Sequence, residues 1–158
     1  MAKEAFKNIH GNIFETPPWM FETLNKEFDF KWDLACLKEN MKCENGYTPD
    51  ENSLQQDWHR LDGWLWCNPP YSPLKPWIVK AQEENKKGAR IVMLCPPIVT
   101  TRYFSQWLPS ELRFIVGRIP FLKDGIEMKS NTNDSCLLIY DNRVRQPNIV
   151  YCKRDEMR

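Results

Sequence analysis

Four consecutive residues, Asn68-Pro69-Pro70-Tyr71, bring together groups that can polarise an amine. The Asn68 side chain carries a carbonyl acceptor. Pro69 keeps its carbonyl but has no N–H, and two successive prolines hold the backbone stiff. Tyr71 adds a planar face with a polar tip. Two fixed acceptors beside an aromatic plate suit the exocyclic amino group of a planar ring. Hydrogen bonds from that amine to Asn68 and to the Pro69 carbonyl draw its lone pair out of conjugation. The nitrogen becomes more tetrahedral and more nucleophilic, and the effect is largest in the transition state. No covalent enzyme intermediate is required. An Asn-Pro pair alone is an ordinary turn. The whole tetrapeptide, directly after the apolar run Trp64-Leu65-Trp66-Cys67, is far more specific.

The surrounding pattern must position this tetrapeptide. Thr16-Pro17-Pro18 opens a helix, with Thr16 as a cap and proline in the first turn. Met20, Phe21, Leu24 and Phe28 then recur at helical spacing, and residues 28–35 alternate apolar and polar as a strand does. Residues 37–58 are polar and turn-rich. Leu74, Trp77, Ile78 and Ala81 follow the i, i+3, i+4, i+7 rule, with Pro76 near the start and Gly88 at the stop. Trp77 at that spacing reads first as core packing. Arg90 to Cys95 predicts a buried strand, and Thr101 to Leu108 a helix. Further strands are expected at 112–116, 136–140 and 149–152. Strands alternating with helices indicate an α/β fold with a parallel core, in which Asn68 follows a strand end. Ligand sites of open α/β sheets lie at that place.

Composition bounds the function. The chain has 158 residues, with 22 Lys and Arg against 21 Asp and Glu, for a formal charge of +1. This excludes a uniformly basic nucleic-acid coat but not a local basic edge. The 6 glycines and 12 prolines run against usage of about 7% and 5%. No two glycines lie close enough for a G-x-G-x-x-G or Walker loop. No signal peptide or membrane span is legible, so a reducing cytoplasm is the expected home. The six cysteines read as free and mostly buried thiols. A metal site from Cys36, Cys43, His59 and Cys67 lacks any C-x-x-C or H-x-x-x-H pair, and no metal is expected.

Asn68-Pro69-Pro70-Tyr71 resembles the catalytic motif of S-adenosylmethionine-dependent amino-methyltransferases. The wider pattern resembles the phage-type DNA N6-adenine methyltransferases, a Dam-like family. It includes Thr16-Pro17-Pro18 with Phe21, then Glu27-Phe28-x-Phe30-x-x-Asp33-x-Ala35 and Leu54-x-x-x-Trp58. Trp66-x-Asn68-Pro69-Pro70-Tyr71-Ser72, Trp77 with Lys80-Ala81, Met93-Leu94-x-Pro96 and Gly117-Arg118-x-x-Phe121 follow. The resemblance implies a Rossmann-like methyltransferase sheet in one compact domain over residues 1–158, with an N-terminal arm at 1–15 and little recognition insertion. It implies S-adenosylmethionine as donor, adenine in double-stranded DNA as acceptor, and direct displacement after base flipping. By position it implies Thr16, Pro17, Asp33, Ala35, Asn52 and Leu54 at the donor. The resemblance implies that Asp33 faces the donor's ammonium. Asn or Ser stands where related enzymes carry an Asp near the donor's adenine, and the glycine-rich turn after the first strand is replaced by Asp33-Leu34-Ala35-Cys36. Asp50, Glu51 and Asp57 are candidates for the ribose.

Residues 98–134 are the expected DNA-contacting segment, with Arg102, Arg118, Phe121 and Lys123 as contacts and Asn131 and Asn133 in a polar loop suited to reading base edges. Tyr71 is the expected stacking face. No obligate protein partner and no membrane are expected, and the resemblance implies a bacterial host cell as the setting. The tetrapeptide also admits cytosine N4, RNA adenine or a glutamine amide as acceptor, or an inactive binding protein on the same fold. Cytosine C5 chemistry is disfavoured, because its thiolate commonly sits in a Pro-Cys pair and the order here is Cys95-Pro96.

Overall fold

The computed structural model describes residues 14–129, 133–144 and 146–158. Of the expected N-terminal arm only residues 14 and 15 are described, and Asn131 also lies outside the described residues. The first helix, α1, spans Pro18–Phe28, and β1 (Phe30–Asp33) follows it. A two-residue strand, β2 (Asn45–Gly46), closes the long 34–44 excursion. Two single-turn 3₁₀ segments, Ser53–Gln55 and Trp58–Arg60, lead to β3 (Trp64–Cys67). Next come α2 (Lys75–Lys86), β4 (Arg90–Cys95), α3 (Arg102–Ser105) and β5 (Glu111–Val116). A hairpin of β6 (Leu122–Lys123) and β7 (Ile126–Glu127) precedes β8 (Ser135–Tyr140) and β9 (Asn148–Lys153).

Seven strands form one sheet in the order β2-β1-β3-β4-β8-β5-β9. The β2, β1, β3 and β4 pairings are parallel, β8 runs antiparallel to both neighbours, and β9 is parallel to β5. The expected mixed α/β sheet with a parallel core is what forms. Residues of β4 explain its unbroken apolar run. Ile91, Met93 and Cys95 face the α2 side, whereas Val92 and Leu94 face the α1 side. A strand covered on both faces has no solvent side to alternate toward.

Three local expectations are corrected. Thr16 does not cap α1: Pro17 is the capping residue and makes no side-chain cap bond. Its hydroxyl is engaged across the fold instead. The 101–108 helix is reduced to Arg102–Ser105. Gln82, buried on α2, donates to the carbonyls of Tyr103, Phe104 and Trp107 at 2.8, 3.1 and 3.2 Å. These bonds satisfy oxygens that a continuing helix would have used. The polar loop after β5 contains the β6–β7 hairpin, turned at Asp124 (φ 51°) and Gly125 (φ 76°). Two positive φ values are the mark of a type I′ turn, which Asp-Gly favours.

Among the described residues no helix is long and apolar enough to cross a membrane. The cysteines are all free, and Cys36, Cys67, Cys95 and Cys136 are buried. Trp77 is buried and stacks on Trp58, with ring centroids 6.2 Å apart.

Gly46 has a packing reason to be glycine. A Cβ built there would lie 2.7 Å from Cys36 Sγ and 2.8 Å from the Asp33 carbonyl oxygen. Gly46→Ala is therefore expected to destabilise the protein by about 1–3 kcal/mol, the usual cost of overpacking. Urea denaturation checks this, and an unchanged midpoint would mean that β2 shifts without cost.

Candidate active site

The carboxyl ends of β1 and β3 lie side by side, because Asp33 pairs with Trp66 in register. Asn68 therefore emerges two residues beyond the last shared pair. The segment Phe14–Thr16 passes over these strand ends. The Asn68 amide nitrogen donates to the Phe14 carbonyl at 2.7 Å and to Thr16 Oγ1 at 3.1 Å. With its NH₂ held by two acceptors, the Asn68 carbonyl oxygen is turned the other way. There it accepts the Tyr71 hydroxyl at 3.3 Å. Burial pushes the Tyr71 phenol well above its ordinary value of 10, so it stays a neutral donor. Phe121 is itself buried, sitting edge-on to Tyr71 (centroids 6.4 Å) and 6.0 Å from the Phe14 ring. It backs the tyrosine from behind. Pro69 and Pro70 are buried and fix the turn that carries Asn68 forward.

Asp33 is almost fully buried, at 2% exposure. Its carboxylate accepts the Ala35 N–H at 3.3 Å and the Lys42 N–H at 3.0 Å. Desolvation raises its pKa to about 6, and the two backbone bonds and the Lys42 charge offset only part of that rise. No salt bridge to Asp33 is formed among the described residues, so this carboxylate is held by neutral donors alone. A small cleft, open to solvent, is lined by Thr16, Asp33, Ala35, Asn40, Lys42 and Asn68, with Phe14, Glu15 and Trp66. Four of the residues expected from the sequence thus meet there: Thr16, Asp33, Ala35 and Asn68. Pro17 is buried next to Thr16.

Asn52 and Leu54 are not among the residues lining this cleft. Asn52 has φ 51° and precedes the Ser53–Gln55 turn, while Leu54 packs against the α2-side core. Arg102, Arg118 and Lys123 are exposed, on α3, after β5 and on β6. Glu15, Asn40 and Lys42 line the cleft without having been singled out in the sequence. Asn40 and Lys42 arrive through the 34–44 excursion, whose course no periodic pattern encodes. The spacing of Asp33 and Lys42 around Cys36-Leu37-Lys38 held no motif that marks them as neighbours.

Asp57, His59 and Glu84 form the one group of potential metal ligands among the described residues, within 4.8 Å of one another. Its chemistry does not suit a cation. Burial alone would raise the Glu84 carboxyl, but His59 bonds it through ring and backbone nitrogens, and Lys80 and Lys87 donate at 2.9 and 3.1 Å. Together they hold it at about 2. Glu84 is thus already engaged by Lys80, Lys87 and His59, and the His59 bonds tie α2 to the Trp58–Arg60 turn.

A family model described as DNA N-6-adenine-methyltransferase (Dam) matches residues 4–158. The chain is 29% identical over 149 residues to the protein named DNA N-6-adenine-methyltransferase of Haemophilus phage HP1 (strain HP1c1), covering 89% of this chain and 85% of that one. It is also 29% identical over 148 residues to the DNA N-6-adenine-methyltransferase of Escherichia phage T1, covering 81% of this chain and 62% of that relative.

The raised Asp33 pKa makes a stability statement. An unfolded Asp titrates near 3.9. With a folded pKa of about 6, the native state binds the proton more tightly than the unfolded chain. The ionised group therefore costs stability at neutral pH, on the order of 3 kcal/mol, and that cost is lifted as pH falls from about 6 to 4. Wild type should gain stability relative to Asp33→Asn over this window in denaturation series. A difference that stays constant with pH would rule out a raised carboxyl.

Proposed function

Because the chain belongs to the DNA N-6-adenine-methyltransferase (Dam) family, we propose that it transfers a methyl group from S-adenosylmethionine to the N6 amino group of adenine in double-stranded DNA. The target base is turned out of the helix. The observation that carries this reading is the orientation of Asn68. Its amide is anchored to Phe14 and Thr16, which leaves the carbonyl oxygen directed toward Tyr71, where a flat ring with an amino group can lie. The amine donates to Asn68 and to the Pro69 carbonyl, and its lone pair is released for attack. Tyr71 provides the stacking face, backed by Phe121. An adenine inside a duplex cannot reach these groups, so extrusion is part of the proposal.

The cleft supports the donor assignment. It places the Asp33 carboxylate, which forms no salt bridge among the described residues, close to Lys42. That pair complements the ammonium and carboxylate of an amino acid moiety. The donor supplies an electrophilic methyl group when bound. Asp33 would hold its ammonium, Lys42 its carboxylate, and Thr16, Pro17 and Ala35 the wall beside them. Asn52 and Leu54 are assigned to its adenine end. Arg102, Arg118 and Lys123 are assigned to the DNA backbone. With a formal charge of +1, their field is local, and non-specific DNA affinity should be weak. The described chain is taken as one methyltransferase domain, with its DNA-contacting residues in 98–134.

Activity and binding measurements test this reading. Asn68→Ala should cut methyl incorporation into unmethylated DNA by about 10²–10³-fold, as the loss of one polarising group does elsewhere. Calorimetry should show S-adenosylhomocysteine still bound within a few-fold. Product nucleosides from the wild type should contain N6-methyladenine. Wild-type protein that labels no DNA, or labels only cytosine, sinks the proposal. Donor affinity should also fall with acid. Binding a cationic ammonium requires Asp33 ionised, so affinity for S-adenosylhomocysteine should drop up to tenfold per pH unit below about 6. Asp33→Asn should bind weakly at every pH.

A further inference from the structure

We propose that the β6–β7 hairpin is the element that opens the DNA beside the site, with Ile126 as the wedge that enters the base stack. The inference rests on the methyltransferase reading above and assigns a part that reading leaves open: what fills the space an extruded base vacates.

Ile126 is 73% exposed, the most exposed large apolar side chain among the described residues. It stands at the end of a hairpin with only Asp124 and Gly125 between the strands. Both turn residues hold positive φ, a conformation matched to the strand twist and stiff for its length. Lys123 pairs with Ile126 and Leu122 with Glu127. Directly opposed residues share a face, so the isoleucine projects together with a lysine, and Glu127 is on the other face. Asp124 occupies the turn itself. An apolar tip beside a cation fits a base step flanked by phosphates, and proteins that kink duplexes use isoleucine in this way.

The hairpin is coupled to the catalytic turn at its base. Glu15 N–H donates to the Leu122 carbonyl at 2.8 Å, and Leu122 N–H donates to the Glu15 carbonyl at 2.9 Å. Leu122 is therefore flanked by β7 on one side and by the segment that orients Asn68 on the other. Met128 N–H closes the hairpin onto the Phe121 carbonyl at 2.8 Å. Phe121 is buried against Tyr71. Two extended residues carry the chain roughly 7 Å from Phe121 to the tip. The tip is thus two extended residues from the side chain that packs on Tyr71, and backbone bonds tie the base of the hairpin to the segment that holds Asn68. The other strongly exposed apolar side chains, Ile149 and Tyr151, lie on the edge strand β9, four strands from β3.

The full-length protein tests this directly. Methyl transfer is measured on a duplex carrying a mapped target adenine, and on the same duplex with an abasic site opposite that adenine. Ile126→Ala should lose roughly 10–100-fold in kcat/KM on the paired duplex and stay within about twofold of wild type where the base is already unpaired. Ile126→Leu should keep most of the activity on both. Equal rates for Ile126→Ala and wild type on the paired duplex, or an equal loss on both substrates, would overturn the wedge while leaving the methyltransferase reading intact. Wild type that methylates neither duplex would overturn both.

Discussion

One side chain sets the geometry of the candidate site: the Asn68 amide, with its two N–H bonds to the Phe14 carbonyl and Thr16 Oγ1. An asparagine on a turn can present either end of its amide. Here the nitrogen is committed, so the oxygen is the end that remains for a ligand. The commitment draws in distant parts of the chain. Residues 14–16 must lie over the sheet, which they do by bridging to Leu122, 107 residues further along. Tyr71 must then meet the oxygen from the opposite side, which it does with Phe121 behind it. The strand end, the N-terminal segment and the hairpin are thus parts of one hydrogen-bonded unit.

Asp33 works by the opposite logic. Asn68 is satisfied and therefore oriented; Asp33 is buried and incompletely satisfied, and therefore costly. Among the described residues its hydrogen-bond donors are two backbone N–H groups, and burial holds it above its ordinary pKa despite the Lys42 charge. Among the described residues Glu84 shows what the same fold does when a buried acid serves structure: two lysines and a histidine converge on it, and its pKa falls. The contrast separates the two groups by role. On the proposed reading, the residual cost at Asp33 is what a group would carry when its counter-charge comes with the donor.

Much of the fold was legible because it follows periodic rules. The α1 stripe of Met20, Phe21, Leu24 and Phe28, the doubly covered β4 and the apolar β8 each bury what their patterns predict. The strand-to-turn transition at Cys67-Asn68 pointed to the candidate site that the strand ends assemble. What was not legible depends on single long-range contacts. The Thr16 hydroxyl reads as a helix cap, and its use by Asn68 needs the strand ends to be known. The apolar stripe of α2 does not single out Gln82, yet its buried amide satisfies the carbonyls at the end of α3. Lys42 and Asn40 reach the cleft through a stretch with no repeat at all. The hairpin had a signal, Asp124-Gly125, that was outweighed by the polarity around it.

The scarcity of glycine takes on a definite meaning in this arrangement. A glycine-rich turn lets a ligand approach the backbone directly after the first strand. Here that place is occupied by Leu34-Ala35-Cys36, and the close approach is made by the protein itself. Tyr47 N–H donates to the Asp33 carbonyl at 2.8 Å and Cys36 N–H to the Tyr47 carbonyl at 3.2 Å. Gly46, having no Cβ, lets β2 come so near. The 34–44 excursion is drawn back onto the end of β1, and in returning it delivers the Lys42 N–H to the Asp33 carboxylate. One glycine on the neighbouring strand therefore does for Asp33 what a glycine loop would do for a phosphate: it allows backbone N–H groups to converge on an anion. In this chain the anion is a side chain, Asp33 itself.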